Sequence, residues 1–111
     1  EQIIAEKLKS LLKFGITSTR FKDIFDFYYL INNENLDKDK LIKYIDILIF
    51  KDENMREHTI EDISKRLSSI LNNSRFQSRI NTANNNWLEV PIDDVIVCIL
   101  NYFEGLVVIA L

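Results

Sequence analysis

Two aspartates lie three residues apart in the segment STRFKDIFDFYYL, residues 18–30. If this segment is helical, Asp23 and Asp26 project about 60° apart on one face of the helix. Two cations accompany them, because Arg20 precedes Asp23 by three residues and Lys22 precedes Asp26 by four. The carboxylates can orient a hydroxyl group or accept its proton, and the neighbouring cations can help to hold a phosphate. The same residues can also form exposed ion pairs, each stabilising the fold by roughly a few tenths of a kcal/mol.

Lys7 is a further cation that could reach these carboxylates. It lies one position from the apolar stripe of a predicted first helix. Its side chain can extend along that helix towards solvent, or it can point the ammonium group into a pocket formed with the next helix. A short turn joins the two helices, so they are expected to be neighbours. The sequence therefore indicates that Lys7 and Asp23 can face the same space.

Other residues whose side chains could take part in catalysis or binding have simpler interpretations. His58 has no second metal ligand nearby, and Cys98 lies among apolar neighbours, which is typical of an inert core thiol. Arg75 and Arg79 follow i, i+4 spacing and are interpreted as solvated, with a second phosphate contact as the alternative. The sequence has no glycine-rich phosphate loop, no Cys/His metal spacing and no Ser/His/Asp arrangement.

The elements that must position these residues are predicted to be helices. Apolar side chains recur at helical spacing, and only two glycines and one proline interrupt the chain. Gly15 is a predicted C-terminal stop, Asp37 a predicted N-cap, and Thr59 with Asp62 a predicted capping box. The predicted helices cover 2–14, roughly 20–32, roughly 38–51, 60–71, a short piece around 75–82, and a last helix that begins at Pro91. The predicted fold class is all-α, a compact bundle of five to six helices.

Length and composition favour one globular domain. The 111 residues are 47 % hydrophobic and 28 % charged, so we predict a single helical domain over residues 1–111. One cysteine allows no intrachain disulfide, which fits a cytoplasmic protein. Residues 95–111 are apolar enough to be considered as a membrane span. However, Asn101, Glu104 and Gly105 interrupt that run, so a buried helix and no membrane partner are predicted.

Charge is distributed unevenly along the chain. Residues 1–22 carry five Lys or Arg side chains and two Glu side chains, a net charge of +3, and the whole chain carries −3, so the remainder carries −6. The overall charge argues weakly against nucleic-acid binding. The basic segment is nevertheless the one that contains Lys7 and Arg20.

The segments IIAEKLKSLL and TRFKDIFDFYYLI together resemble the C-terminal part of the AbiEii/AbiGii-type nucleotidyltransferase toxins. The family pattern is a Glu-Lys-Leu in one helix, an Arg, and Lys-Asp-x-x-Asp-Leu/Phe-Tyr in the next helix. The matching residues here are Glu6, Lys7, Leu8, Arg20, Lys22, Asp23, Asp26, Phe27 and Tyr28. The segment from Trp87 to Pro91 and the last helix also look like the end of these toxins.

The resemblance implies a toxin of a bacterial abortive-infection or type IV toxin–antitoxin system, with a cognate antitoxin as partner. Such a toxin has a polymerase-β-like core that holds Mg²⁺ through an acidic pair after a Gly-Ser turn, and that core is not contained in residues 1–111. By resemblance, Lys7 and Arg20 are nucleotide-binding residues, Asp23 is the catalytic acidic residue and Asp26 is the second candidate for that role. The intact enzyme would transfer a nucleotide from an NTP to an RNA or protein acceptor, with tRNA as the favoured acceptor.

The chain is therefore expected to be a fragment of a longer enzyme and to be inactive alone. It begins at Glu1 without an initiator methionine, and its apolar helical pattern is already running by Ile3. The alternative is a non-catalytic helical protein-interaction module that docks a partner through residues 95–111. Contact between Lys7 and Asp23 would favour the enzyme, and wide separation of the two in solvent would favour the module.

Overall fold

The computed structural model describes residues 1–17, 21–33, 35–82 and 90–110. Within these ranges the chain forms α-helices and no β-strand, which confirms the all-α prediction. A 3-10 turn, Gly15–Thr17, follows the first helix, and a π-helical turn, Asp46–Phe50, follows the third. The helices are α1 (Gln2–Phe14), α2 (Phe21–Asn33), α3 (Lys38–Ile45), α4 (Ile60–Leu71), α5 (Ser74–Thr82) and α6 (Ile92–Ala110).

Predicted caps begin two of these helices. The Asp37 side chain accepts a hydrogen bond from the backbone N–H of Lys40 at 3.1 Å, at the start of α3. The Thr59 hydroxyl accepts one from the N–H of Asp62, also at 3.1 Å, at the start of α4. Asp62 in turn accepts the N–H of His58, the residue before the cap, at 3.1 Å, so two hydrogen bonds close this end. Both caps satisfy backbone donors that have no partner inside the helix.

The predicted helix over 38–51 differs from the observed structure in its second half. After Ile45 the backbone widens into the π-helical turn, in which the N–H of Lys51 donates to the carbonyl of Asp46 at 3.1 Å. Ile45 and Ile49 are both fully buried. Ile45 and Ile49 are four residues apart, and an α-helix would also bury both on one face, so their apolar spacing does not distinguish the two kinds of turn.

Helix α6 lies at the centre of the fold and packs against α2, α3, α4 and α5. Its inner face is fully buried, and the Phe103 ring meets the Phe27 ring of α2 edge to face, with centroids 6.4 Å apart. This confirms the prediction of a buried helix for the described part of residues 95–111. Its outer face exposes Val97 and Val108. Among the helices described, none has both the length and the apolarity needed to cross a membrane.

Gly15 ends α1 and turns the chain towards α2. Its φ angle is 58°, and its N–H donates to the carbonyl of Leu11, as expected for a glycine stop. A Cβ atom on Gly15 would lie 2.6 Å from Nη2 of Arg66 on α4. The glycine therefore supplies both the backbone conformation and the space that bring α4 against the end of α1.

Gly15→Ala is expected to lower the free energy of unfolding by about 1–3 kcal/mol, because an L side chain is strained at this φ. Gly105→Ala is the matched control, since Gly105 lies inside α6 and a Cβ there meets nothing within 4 Å. That change should raise the free energy of unfolding by about 0.5–1 kcal/mol. Urea unfolding measures whether the free energy of unfolding falls in Gly15→Ala and rises in Gly105→Ala. Equal shifts for the two variants would contradict the strained role of Gly15.

Candidate functional site

The contact between α1 and α2 brings Lys7 to both aspartates. The Lys7 ammonium nitrogen lies 2.7 Å from Oδ1 of Asp23 and 3.2 Å from Oδ2 of Asp26, and it donates a hydrogen bond to each. The prediction that Lys7 and Asp23 face the same space is confirmed. The contact with Asp26 was not predicted, although the i, i+3 spacing of the two aspartates on one helix face was the available signal.

Asp26 also binds a second lysine. The Lys22 ammonium lies 3.1 Å from the same Oδ2 atom of Asp26, across one turn of α2. The Lys22 side chain is 67 % exposed, against 15 % for Asp26, so Lys22 lies at the solvent side of the site. Lys7, Lys22, Asp23 and Asp26 are called the lysine–aspartate cluster below.

Packing of α1 and α2 determines how accessible the cluster is. Leu8 and Ile24 are buried in the core, which places their neighbours Lys7 and Asp23 at the edge of the helix interface. The side chains of Lys7 and Asp23 are 20 % and 10 % exposed. Lys7 therefore does not extend freely into solvent, and its ammonium group lies at a partly open position. Partial removal of water strengthens the electrostatic interactions within the cluster.

Both members of the Lys7–Asp26 pair are held in their charged forms. Partial burial by itself raises the pKa of Asp26, but the hydrogen bonds from Lys22 and Lys7 outweigh it and leave the pKa below its ordinary value. Partial burial by itself lowers the pKa of Lys7, and the hydrogen bonds to Asp23 and Asp26 outweigh it and leave the pKa above its ordinary value. The pair is consequently ionised at neutral pH.

An ammonium group has three hydrogen-bond donors. The described contacts of Lys7 use two of them, one for each aspartate. The third donor is available to an oxygen atom of a ligand, and the two carboxylates hold the cation in place for it. Chemically, this arrangement can neutralise developing negative charge and can orient a hydroxyl group beside a carboxylate.

The described residues do not contain a metal site of the usual kind. Nowhere in these ranges do three or more His, Cys, Asp or Glu side chains come together so that they could hold a metal ion. Asp23 and Asp26 are instead bound to lysine ammonium groups. Arg20, the remaining candidate nucleotide-binding residue, lies outside the described residues, as does Trp87.

Arg79 has a structural role that the sequence did not reveal. It donates hydrogen bonds to the backbone carbonyls of Ile16 and Thr17, and its guanidinium lies over the Phe21 ring, with a centroid distance of 5.4 Å. The interpretation of Arg79 as a solvated side chain is wrong, because α5 packs against the turn between α1 and α2. Cys98 is half-buried and its sulfur accepts a hydrogen bond from the Asn32 amide at 3.4 Å.

A comparison with known protein families gives a match for this chain to a class of enzymes, the nucleotidyl transferase toxins of type IV toxin–antitoxin systems. The matched family is AbiEii, and the match covers residues 1–86, which include the whole lysine–aspartate cluster. Because the match covers most of the chain, this protein belongs to the AbiEii nucleotidyl transferase toxin family. Membership implies a nucleotide substrate and an antitoxin partner. Residues 87–111 lie outside the matched range. Searches of curated proteins and of solved structures gave no match.

Proposed function

We propose that this chain is the C-terminal helical part of a longer nucleotidyltransferase toxin. The longer enzyme transfers a nucleotide from an NTP to an RNA acceptor, with tRNA as the favoured acceptor. The observation that carries the proposal is the 2.7 Å contact between Lys7 and Asp23, which joins α1 and α2 at a partly open position. Both residues lie in the part of the chain that matches the toxin family.

The chemistry of nucleotide transfer explains these residue types. An acceptor hydroxyl oxygen attacks the α-phosphorus of the NTP, a new P–O bond forms, and the bond to pyrophosphate breaks. Negative charge grows on the leaving pyrophosphate, and the acceptor hydroxyl loses its proton. In the proposed site, the free donor of Lys7 binds a phosphate oxygen, and Arg20 assists it. Asp23 orients the acceptor hydroxyl or accepts its proton, with Asp26 as the second candidate.

Mg²⁺ is the cofactor expected for this reaction. The described residues do not fit a magnesium site, because none of their carboxylates gather in a metal-binding group. We therefore propose that Mg²⁺ is held mainly by residues that precede this chain in the longer enzyme. The 111 residues alone should then bind phosphate groups without transferring a nucleotide.

The alternative, a non-catalytic interaction module, gives no reason for Lys7 and Asp23 to meet. It would require these side chains only as separate surface charges. The observed cluster shares one ammonium group between two carboxylates. This geometry favours the enzyme over the module.

A labelling assay tests the proposal. The longer protein is incubated with α-³²P-labelled NTPs, Mg²⁺ and a mixture of tRNA and protein acceptors, in parallel with the 111-residue chain. We expect label that ribonuclease releases and protease does not, and only with the longer protein. Label on protein would refute the RNA acceptor. Transfer by the 111 residues alone would refute the proposal that the Mg²⁺-binding part is missing from them.

A further inference from the structure

A second charged site lies away from the lysine–aspartate cluster. It is a cavity of about 200 Å³ between the C-terminal end of α1, the loop that precedes α4, and α4 itself. Lys13 comes from α1, Arg56 and Glu57 from the loop, and Arg66 from α4. We call it the basic cavity. Its residues come from three separate parts of the chain, so no sequence motif marks it.

The basic cavity carries a net positive charge. Lys13, Arg56 and Arg66 supply three positive charges and Glu57 one negative charge, which leaves +2. None of the three cations forms an ion pair with a described carboxylate, whereas every other lysine of α1 and α2 does. The chain as a whole carries −3, so this concentration of unpaired cations is a local feature.

The backbone around the basic cavity is anchored. Met55 is buried in the core in the middle of the loop. Asp52 accepts the N–H of Asn54 at 2.9 Å and forms an ion pair with Lys9 at 2.7 Å, so its charge is already neutralised. The Arg66 guanidinium lies beside Gly15, where a side chain would collide with it. The backbone that carries the cations is therefore fixed, whereas the exposed side chains of Lys13, Arg56 and Arg66 become ordered only when an anion binds.

Glu57 places a negative charge in the basic cavity, and this charge should weaken anion binding. It is 7 % exposed and lines the basic cavity, yet it forms no ion pair with the cations around it. Its carboxylate therefore does not hold the arginines in place, and it opposes any anion that enters. Removal of its charge should strengthen anion binding, whereas removal of a cation should weaken it.

The position of the basic cavity relative to Lys7 indicates what kind of anion it binds. Lys13 follows Lys7 by six residues on α1, which is about 9 Å along the helix axis and a different face of the helix. A nucleotide held at Lys7 would have to reach around α1 to fill the basic cavity. A nucleic-acid strand carries a phosphate on every residue and can follow the surface from one site to the other. Arginine and lysine are the side chains that most often contact such phosphates.

We propose that the basic cavity binds a backbone phosphate of the acceptor RNA and anchors that strand on the toxin. This inference rests on the proposed function, because it takes the acceptor to be RNA. Lys13, Arg56 and Arg66 are phosphate-binding residues in this arrangement and take no part in the bond changes at the NTP.

The test measures binding of a fluorescent single-stranded RNA decamer to the 111-residue chain by anisotropy at low salt. Lys13→Gln/Arg66→Gln should weaken binding about tenfold or more, because two charge-assisted contacts to phosphate are lost. Lys40→Gln/Lys43→Gln is the matched control, because it also removes two positive charges, and both side chains are exposed and lie outside the basic cavity. It should change binding less than twofold. Glu57→Gln should tighten binding, and inorganic phosphate should compete with the RNA.

Several outcomes would overturn the inference. Equal affinity of the wild type and the Lys13→Gln/Arg66→Gln variant would show that the basic cavity does not bind RNA. If ATP binds to the basic cavity and the decamer does not, the ligand is a free nucleotide and the proposed strand contact is wrong. Circular dichroism of each variant checks the fold. Failure here is distinct from failure of the proposed function, which appears as lost NTP-dependent labelling of RNA by the longer protein.

Discussion

Lys7→Ala is expected to lower nucleotide transfer by the proposed longer toxin about 100-fold or more, and to abolish its toxicity. Loss of one preorganised charge-stabilising donor commonly costs about two to three orders of magnitude in rate. Lys7 is suited to that role because two carboxylates hold its ammonium group, at 2.7 Å and 3.2 Å, and leave one donor for a phosphate oxygen. Transfer of ³²P-labelled nucleotide to RNA measures the effect.

The matched control is Lys22→Ala. Lys22 contacts the same oxygen of Asp26, but its side chain is 67 % exposed, and exposed ion pairs contribute little. This variant should keep transfer within about threefold of the wild type, given how little such pairs contribute. Thermal unfolding should show that both variants are folded at the assay temperature. A folded Lys7→Ala variant with undiminished toxicity would remove Lys7 from the site.

Phe27→Ala is expected to lower the free energy of unfolding by about 3–5 kcal/mol. The Phe27 side chain is 1 % exposed and meets the Phe103 ring edge to face, so truncation leaves a cavity between α2 and α6. Phe27 directly follows Asp26, and the same packing holds α2 at the orientation that presents Asp23 and Asp26 to Lys7. Urea unfolding measures the loss. Transfer activity should fall in proportion to the unfolded fraction.

Phe14→Ala is the control of the same residue type. Phe14 is 52 % exposed at the end of α1, so its truncation should cost less than about 1 kcal/mol. A double-mutant cycle of Phe27→Ala and Phe103→Ala should give a coupling energy of about 0.5–1.5 kcal/mol for the ring pair. A loss below about 1 kcal/mol for Phe27→Ala would show that α2 is not held by this contact.

The local parts of the fold were readable from the sequence. The bounds of α1 and α4 agree with apolar spacing, and Asp37 and Thr59 cap the helices that they were predicted to cap. These features depend on residues within one or two turns of each other, so spacing alone carries the information. The contact of Lys7 with Asp23 was also accessible, because a short turn forces α1 and α2 to be neighbours.

Other features were decided only by tertiary packing. Arg79 reaches the carbonyl of Ile16, 63 residues away, because α5 packs against the turn after α1. Arg66 reaches Gly15 for a similar reason, since α4 packs against that turn. Helical periodicity specifies which face of each helix is buried, but not which distant helix covers it. The amino-acid sequence thus determined the helices and the meeting of Lys7 with Asp23 in this AbiEii-family protein, whereas the packing of α4 and its preceding loop on the end of α1 created the basic cavity.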